Sequence, residues 1–271
     1  MDLPVSTGVL AFYLTNKCTL KCKLCAFGVP YFTSPRNLLK EDIVRDIQRA
    51  MELYDDMLHV DILGGEPLLH PDILEITQEL YKYRSKFPEM RIVTNCTIIP
   101  NDDLCLFIKH ILDDGHRFLF LLDNYGSLSS KLKEVKSKLD QYQIPFRVDD
   151  YVGDNPRFDG WINYGDFEDR GYTADEVQKL YIDCRCRSLR YHECYDGKIY
   201  ACPYYLVLGA LGKIEPLSGE YVDLRNNSVS NQQQRKILHN VLSQSHNFAS
   251  CWKCFGLTDY SKRYPAAEQL K

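Results

Sequence analysis

The chain has no apolar run approaching the roughly 20 residues that a membrane-spanning helix needs. Its first residues, Met1-Asp2-Leu3-Pro4, lack the basic start and apolar stretch of a secretory signal. Charge of either sign is not in excess. Lys and Arg number 33 against 37 Asp and Glu, for a net charge of −4. Nothing in that balance draws the chain to nucleic acid or to an anionic membrane surface. Internal repeats and low-complexity segments are also missing, which excludes solenoids and disordered arrays. These absences lead us to expect a cytoplasmic protein with neither nucleic acid nor membrane as partner. Its length of 271 residues fits one large domain or a domain and a half, and its 45% hydrophobic residues are enough for a core.

Cysteine is what the chain has in quantity, with 11 residues. In a secreted chain these would suggest disulfides. With clustered spacings and no signal sequence they read as metal ligands in a reducing compartment. Three of them lie in Cys18-Thr-Leu-Lys-Cys22-Lys-Leu-Cys25, on a loop leaving an apolar strand. Three thiolates can hold three corners of a [4Fe–4S] cube, whereas ordinary electron-transfer sites use four. The missing fourth ligand leaves one iron open to a small molecule. A zinc knuckle is the alternative. It needs a fourth Cys or His nearby, and none follows before His59.

Between residues 9 and 151 strands and helices alternate. Strands are predicted at 9–14, 58–63, 91–94, 118–122 and 146–148. Between them run stripes at helical spacing: Ile43, Ile47, Ala50 and Met51; Ile73, Ile76, Leu80 and Tyr83, after Pro71; Leu104, Phe107, Ile108, Ile111 and Leu112, closed by Asp114-Gly115; and Leu132, Val135, Leu139 and Tyr142. Alternation of this kind implies a parallel sheet with right-handed crossovers. The predicted fold class is α/β, a partial TIM-like barrel of about five strands with its site at the C-terminal strand ends. The cysteine loop falls at such an end. So does Gly64-Gly65-Glu66-Pro67, where two glycines allow close backbone approach and Glu66 can accept a hydrogen bond from an ammonium.

At Cys18, Cys22, Cys25 and Gly64 to Pro67 the sequence resembles the radical S-adenosylmethionine (radical SAM) superfamily, whose signature is Cys-x3-Cys-x2-Cys followed by a GGEP segment. The resemblance implies that the open iron chelates the methionine moiety of S-adenosylmethionine and that the GGEP segment binds its amino group. Reductive cleavage then releases a 5′-deoxyadenosyl radical. Leu24 stands where the family usually has an aromatic residue and is expected to pack near adenine. Asn95 and Asp123, at the ends of the third and fourth strands, match polar residues that touch the cofactor; turn capping accounts for them equally well. An electron donor such as a flavodoxin or ferredoxin is implied as a partner.

Residues 152–183 form a connecting segment rich in aromatics, glycine and acids, with Phe158, Trp161, Tyr164 and Phe167. Either it covers the substrate or its rings pack against the C-terminal part of the chain. A short helix is predicted at 174–181. The second cysteine group begins at Cys184. Asp196-Gly197 is a strong hairpin turn, pairing 191–195 with 198–201 and bringing Cys202 back toward Cys184. Cys251-Trp-Lys-Cys254 comes later, after an amphipathic stretch with Ile237, Leu238, Val241 and Leu242. Cys184, Gly197, Cys202, the Leu211-Gly212 step, Cys251 and Cys254 together resemble the twitch subdomain, a truncated SPASM domain. The resemblance implies a small subdomain of β-hairpin plus helix, with these four cysteines holding an auxiliary [4Fe–4S] cluster. A four-cysteine zinc ribbon is the alternative. The expected division is a radical SAM barrel over 1–151, a connector over 152–183 and the twitch-type subdomain over 184–271. Cys186 competes with Cys184 as a ligand. Cys105 is expected in the core. Cys96 and Cys194 are read as packing residues, with hydrogen-atom donation by one of them as the minority reading.

A cluster bound by four cysteines has no open iron, so its role would be electron transfer. Hydrogen abstraction followed by loss of an electron and a proton is a two-electron oxidation. The architecture resembles that of aminocyclitol alcohol dehydrogenases, and oxidation of a small, sugar-like molecule is the expected function. Cross-linking or epimerisation of a ribosomally made peptide is the alternative, although the leader-binding domain that many peptide modifiers carry before the first strand is not expected here. A zinc-binding interaction module is the non-enzymatic alternative. The sequence does not single out a base among Asp149, Asp150, Asp159, Tyr164 and Arg190.

Overall fold

The structure is a computed structural model that describes residues 4–270. Its core is one sheet. The first strand, β1 (Ser6–Tyr13), is followed by α1 (Lys40–Leu53), β2 (Asp56–Leu63), α2 (Ile73–Tyr81), β3 (Glu89–Thr94), α3 (Asp102–Asp113), β4 (Arg117–Asn124), α4 (Leu132–Gln141) and β5 (Phe146–Asp150). All five strands are parallel, each beside its sequence neighbour. The apolar stripes are what dock the helices. Ile43, Ile47, Ala50 and Met51 of α1 are buried, as are Leu104, Cys105, Ile108 and Ile111 of α3, while the opposite faces carry the charges. Each fully buried large aliphatic side chain contributes about 1.5–3 kcal/mol, so each stripe outweighs the weak propensity of a helix of 9–14 residues. Asn101 caps α3 through Leu104 N, and Gly115, at φ +80, ends it with a bond from its N–H to Leu112 O.

The second half contains α5 (Ala174–Asp183), the four-residue α6 (Arg185–Ser188), β6 (Tyr191–Tyr195), β7 (Lys198–Tyr200), α7 (Pro203–Ala210), β8 (Tyr221–Asp223) and α8 (Asn231–Ser243). Capping boxes start α5, at Thr173 and Glu176, and α8, at Ser230 and Gln233. The expected hairpin is present, but it does not stand apart. β6 pairs in parallel with β1, and β7 and β8 follow antiparallel, giving the order β5-β4-β3-β2-β1-β6-β7-β8. The result is an α/β sheet of eight strands that curls without closing, a partial barrel continued by the hairpin. The ladder between β1 and β6 crosses the expected boundary at residue 184, and residues between Tyr191 and Cys251 share one core with the first half.

Three elements were not expected from the sequence, the first being the single turn of α6. The segment Pro-Tyr-Tyr-Leu-Val-Leu-Gly-Ala of α7 is apolar on almost every face and gives no periodicity to read. β8 is only three residues long. Arg190 lies before β6, where its carbonyl accepts from Val9 N and Thr7 Oγ1. That is the opposite end of the sheet from the strand ends that carry the motifs, so Arg190 is removed from the candidate bases. Among the described residues no helix is long and apolar enough to cross a membrane.

Candidate cluster and cofactor site

The cysteine loop begins where β1 ends and is fastened to the end of β2. Gly65 N donates to Thr15 O at 2.7 Å and Glu66 N to Lys17 O at 2.9 Å. This approach requires the glycines. A Cβ on Gly64 would meet Thr15 O at 2.7 Å, and one on Gly65 would meet Lys17 O at 2.2 Å. Beyond the contact, Cys25 N donates to Cys22 O and Gly28 N to Cys25 O, which turns the three thiols toward one cavity.

That cavity, of about 170 Å³, is lined by Cys18, Cys22, Cys25, Gly64, Gly65, Asn95 and Asp123. Its far wall is aromatic. Tyr125, Tyr151 and Trp161 pack with ring centroids 5.2–6.2 Å apart. Trp161 arrives from the connecting segment. Tyr125 and Tyr151 lie one residue beyond β4 and β5, a position that would have flagged them in the sequence. Asn95 Nδ2 donates to Cys18 Sγ at 3.3 Å. Asp123 accepts from Tyr125 Oη at 3.0 Å, and burial raises its carboxyl to about 7.

Three of the expected residues stand back from the cavity wall. Leu24 is buried, and Pro67 starts the turn Pro67–Leu69. Glu66 is fully buried, and its carboxylate accepts from Leu68 N at 3.1 Å, Thr94 Oγ1 at 2.9 Å and Asn95 N at 2.9 Å. Burial outweighs these donors and raises it to about 7. The side chain ties the glycine turn to the end of β3, and the glycines face the cavity.

The chemistry of the donor set fits an iron–sulfur cluster. Burial pushes Cys18 up to about 11 and Cys22 to about 12, and it raises Cys25 as well. Activated nucleophilic cysteines lie well below the ordinary value. Buried thiols without a cation nearby become thiolates when a metal supplies the positive charge. Among the described residues no three His, Cys, Asp or Glu side chains converge as ligands of a single ion. In a cubane each thiolate binds a different iron.

A second cavity, of about 30 Å³ and almost wholly apolar, is lined by Cys184, Cys186, Cys202, Cys251 and Cys254. The hairpin brings Cys202 to Cys184 as its spacing predicts. Cys186 is close enough to Cys184 and Cys202 that sharing protons among the three thiols lowers those two and raises Cys186. Cys184 is the N-cap of α6, and it shares the wall of this cavity with Cys186 and Cys202. Burial raises Cys251 and Cys254. Cys96, Cys105 and Cys194 are buried in the core and line neither cavity, which removes the hydrogen-donor reading. Of the other candidate bases, Asp149 is held by Arg147 and Arg157, Asp150 and Asp159 are exposed, and Tyr164 packs on Tyr204 beside the second group.

Comparison with known proteins agrees with this geometry. Residues 12–117 match the radical SAM superfamily model. GTP 3′,8-cyclase of Lactiplantibacillus plantarum is 33% identical over 243 residues, spanning 78% of this chain and 72% of that protein. PqqA peptide cyclase of Methylorubrum extorquens is 35% identical over 80 residues, 28% of this chain and 19% of that protein. Among solved structures, BtrN in complex with AdoMet and 2-DOIA superposes with a TM-score of 0.58 at 11% identity, covering 97% of this chain and 99% of that one. Native anSMEcpe with bound AdoMet gives 0.55 at 13%, covering 97% and 94%. These two share the partial-barrel fold. With the three-cysteine loop, the glycine turn fastened to it and a cyclase relative matched over most of its length, the chain belongs to the radical SAM superfamily, which implies a [4Fe–4S] cluster and S-adenosylmethionine as cofactors.

Proposed function

We propose that the protein is a radical SAM dehydrogenase that oxidises a small, sugar-like alcohol by two electrons. Cys18, Cys22 and Cys25 would hold the SAM-binding cluster. Cys184, Cys202, Cys251 and Cys254 would hold an auxiliary cluster. When bound, the first group with S-adenosylmethionine supplies a hydrogen-abstracting radical, and the second supplies an electron acceptor.

The observation that carries the reading is the second cavity. It is small, apolar and ringed by five cysteines, so four thiolates can close a cluster there without admitting a polar substrate. Cys184 is favoured over Cys186 because Cys184, Gly197 and Cys202 keep the spacing of the twitch pattern. Substrate therefore belongs at the first cavity, where Asp123 is the one carboxyl in the wall among the described residues. A carboxyl titrating near 7 is suited to take the hydroxyl proton as the carbon is oxidised. The rings of Tyr125, Tyr151 and Trp161 offer apolar faces to the C–H side of a cyclitol or sugar. Asn95 and the backbone of Gly64 and Gly65 line the cofactor side.

Peptide modification is the second reading. It is favoured by the local identity with PqqA peptide cyclase and by an open cleft of about 800 Å³ between residues 31–36 and 209–216. The two are separated by offering carbon-deuterated polyols and peptides and measuring deuterium in the 5′-deoxyadenosine formed. Transfer from a polyol, with the matching ketone as product, is the expected result. Transfer from peptides alone would overturn the dehydrogenase reading.

A further inference from the structure

Beyond Cys254 the chain returns to the first cysteine loop and closes over it. Trp161 and Tyr264 exchange two backbone hydrogen bonds of 2.8 Å. Gly160 makes room for this contact, since a Cβ there would lie 2.4 Å from Tyr264 O. Ala267 is buried against Leu20 and Cys22. Lys23 N then donates to Glu268 O at 2.7 Å and Leu270 N to Lys21 O at 2.8 Å, so residues 267–270 run antiparallel to residues 21–23.

The side chain at the centre of this contact is Gln269. Its Oε1 accepts from Lys21 N at 2.8 Å. Its Nε2 donates to Ala267 O at 2.7 Å and to Cys22 Sγ at 3.2 Å. The three partners fix the amide's orientation. Turned over, it would set its N–H groups against Lys21 N–H and its oxygen against the Ala267 carbonyl. A donor is therefore held on the sulfur by backbone groups of both segments. Cys18 also has donors, Asn95 Nδ2 at 3.3 Å and Leu20 N at 3.4 Å. Those come from the loop itself or from a strand end, whereas Gln269 comes from 247 residues away.

We propose that Gln269 is a positioning residue for Cys22 that raises the reduction potential of the SAM-binding cluster, with residues 264–270 acting as the strap that holds it there. The inference rests on the reading that Cys18, Cys22 and Cys25 carry that cluster. Reduction adds negative charge to cluster and thiolates, and a donor on sulfur stabilises the more negative state. Hydrogen bonds to the sulfurs and solvent exposure are the levers a protein has on such potentials. The Gln269 amide is the lever that raises the potential, whereas the cover that Ala267 gives Cys22 excludes water and works in the opposite direction.

The test is a redox titration of the full chain with both centres loaded, followed by electron paramagnetic resonance. The signal of the first cluster is identified by its change on adding S-adenosylmethionine. Gln269→Met keeps the length of the side chain and loses the donor. It should bind wild-type iron yet show a reduced-to-oxidised ratio about tenfold lower at a fixed potential, equivalent to a shift of about 59 mV for a one-electron couple. Gln269→Glu, which sets an acceptor against the sulfur, should move the same way and further. Equal potentials in wild type and Gln269→Met at equal iron would overturn the inference and leave the ligand assignment standing. A Gln269→Met chain that folds but does not assemble the first cluster would assign the residue to assembly and overturn the tuning role. Wild-type protein that binds no iron at Cys18, Cys22 and Cys25 would overturn both readings.

Discussion

Gly65→Ala discriminates between two reasons for a glycine. Gly65 is outside the left-handed region, so alanine is compatible with its backbone angles. Were backbone freedom the only issue, alanine would stabilise the chain by about 0.4–1 kcal/mol through the unfolded state. The structure argues the reverse, because the new Cβ would lie 2.2 Å from Lys17 O, 2.7 Å from Lys17 C and 3.0 Å from Cys18 Cβ. Relieving that overlap separates the turn from the cysteine loop. It breaks the bonds from Gly65 N to Thr15 O and from Glu66 N to Lys17 O. Groups left unpaired away from water cost about 1–3 kcal/mol each. Two such bonds minus the alanine gain leave a net loss of about 1–5 kcal/mol. Urea unfolding of cluster-free protein measures it directly, with no contribution from iron. Because the displaced atoms include Cys18 Cβ, the variant should also take up less iron on anaerobic reconstitution. A Gly65→Ala chain as stable as wild type, or more stable, would refute the close-approach argument.

Glu66→Ala removes the acceptor for Leu68 N, Thr94 Oγ1 and Asn95 N, and at about 1–3 kcal/mol for each should destabilise cluster-free protein by at least about 3 kcal/mol; urea unfolding checks this, and an unchanged midpoint would return Glu66 to a ligand-only role. The same carboxyl titrates at about 7 when folded, against 4.5 ordinarily. The folded form holds the proton more tightly, so this contribution is complete below pH 4.5 and is lost by pH 7, about 3 kcal/mol in all. Glu66→Gln should abolish that part of the pH dependence, read as the difference between the two proteins' unfolding free energies across the range. Cys184→Ala should lose the auxiliary cluster and Cys186→Ala should keep it, as counted by iron analysis; the reverse pattern would exchange the ligand.

How legible the site was depended on how local its signal is. Cys18, Cys22 and Cys25 are close in sequence, and Gly64 and Gly65 follow a plainly apolar strand, so both could be read from the chain. The crossover helices could be read because their apolar residues recur every three or four positions. The hairpin was readable from Asp196-Gly197, but its pairing with β1 was not, since no short-range pattern records which edge a strand will join. α7 was hidden because its segment is apolar all round. Glu66 was legible as a chemical group, and its burial beneath the turn was not, because Thr94 and Asn95 reach it only through the sheet. Gln269 had no signal at all. An amide near the end of the chain becomes a partner of Cys22 only after the fold has brought residues 21–23 and 267–270 together.

The central claim is that two separate cysteine sets hold two clusters and that only the first cleaves S-adenosylmethionine. Anaerobic reconstitution, with iron and 5′-deoxyadenosine measured on the same samples, tests it most directly. Wild type should carry about eight irons, as two four-iron clusters require. Cys202→Ala should keep about half and still form 5′-deoxyadenosine under reducing conditions. The combined replacement of Cys18, Cys22 and Cys25 by alanine should also keep about half and form none. Zinc in place of iron in wild type, or 5′-deoxyadenosine from the triple variant, would contradict the account.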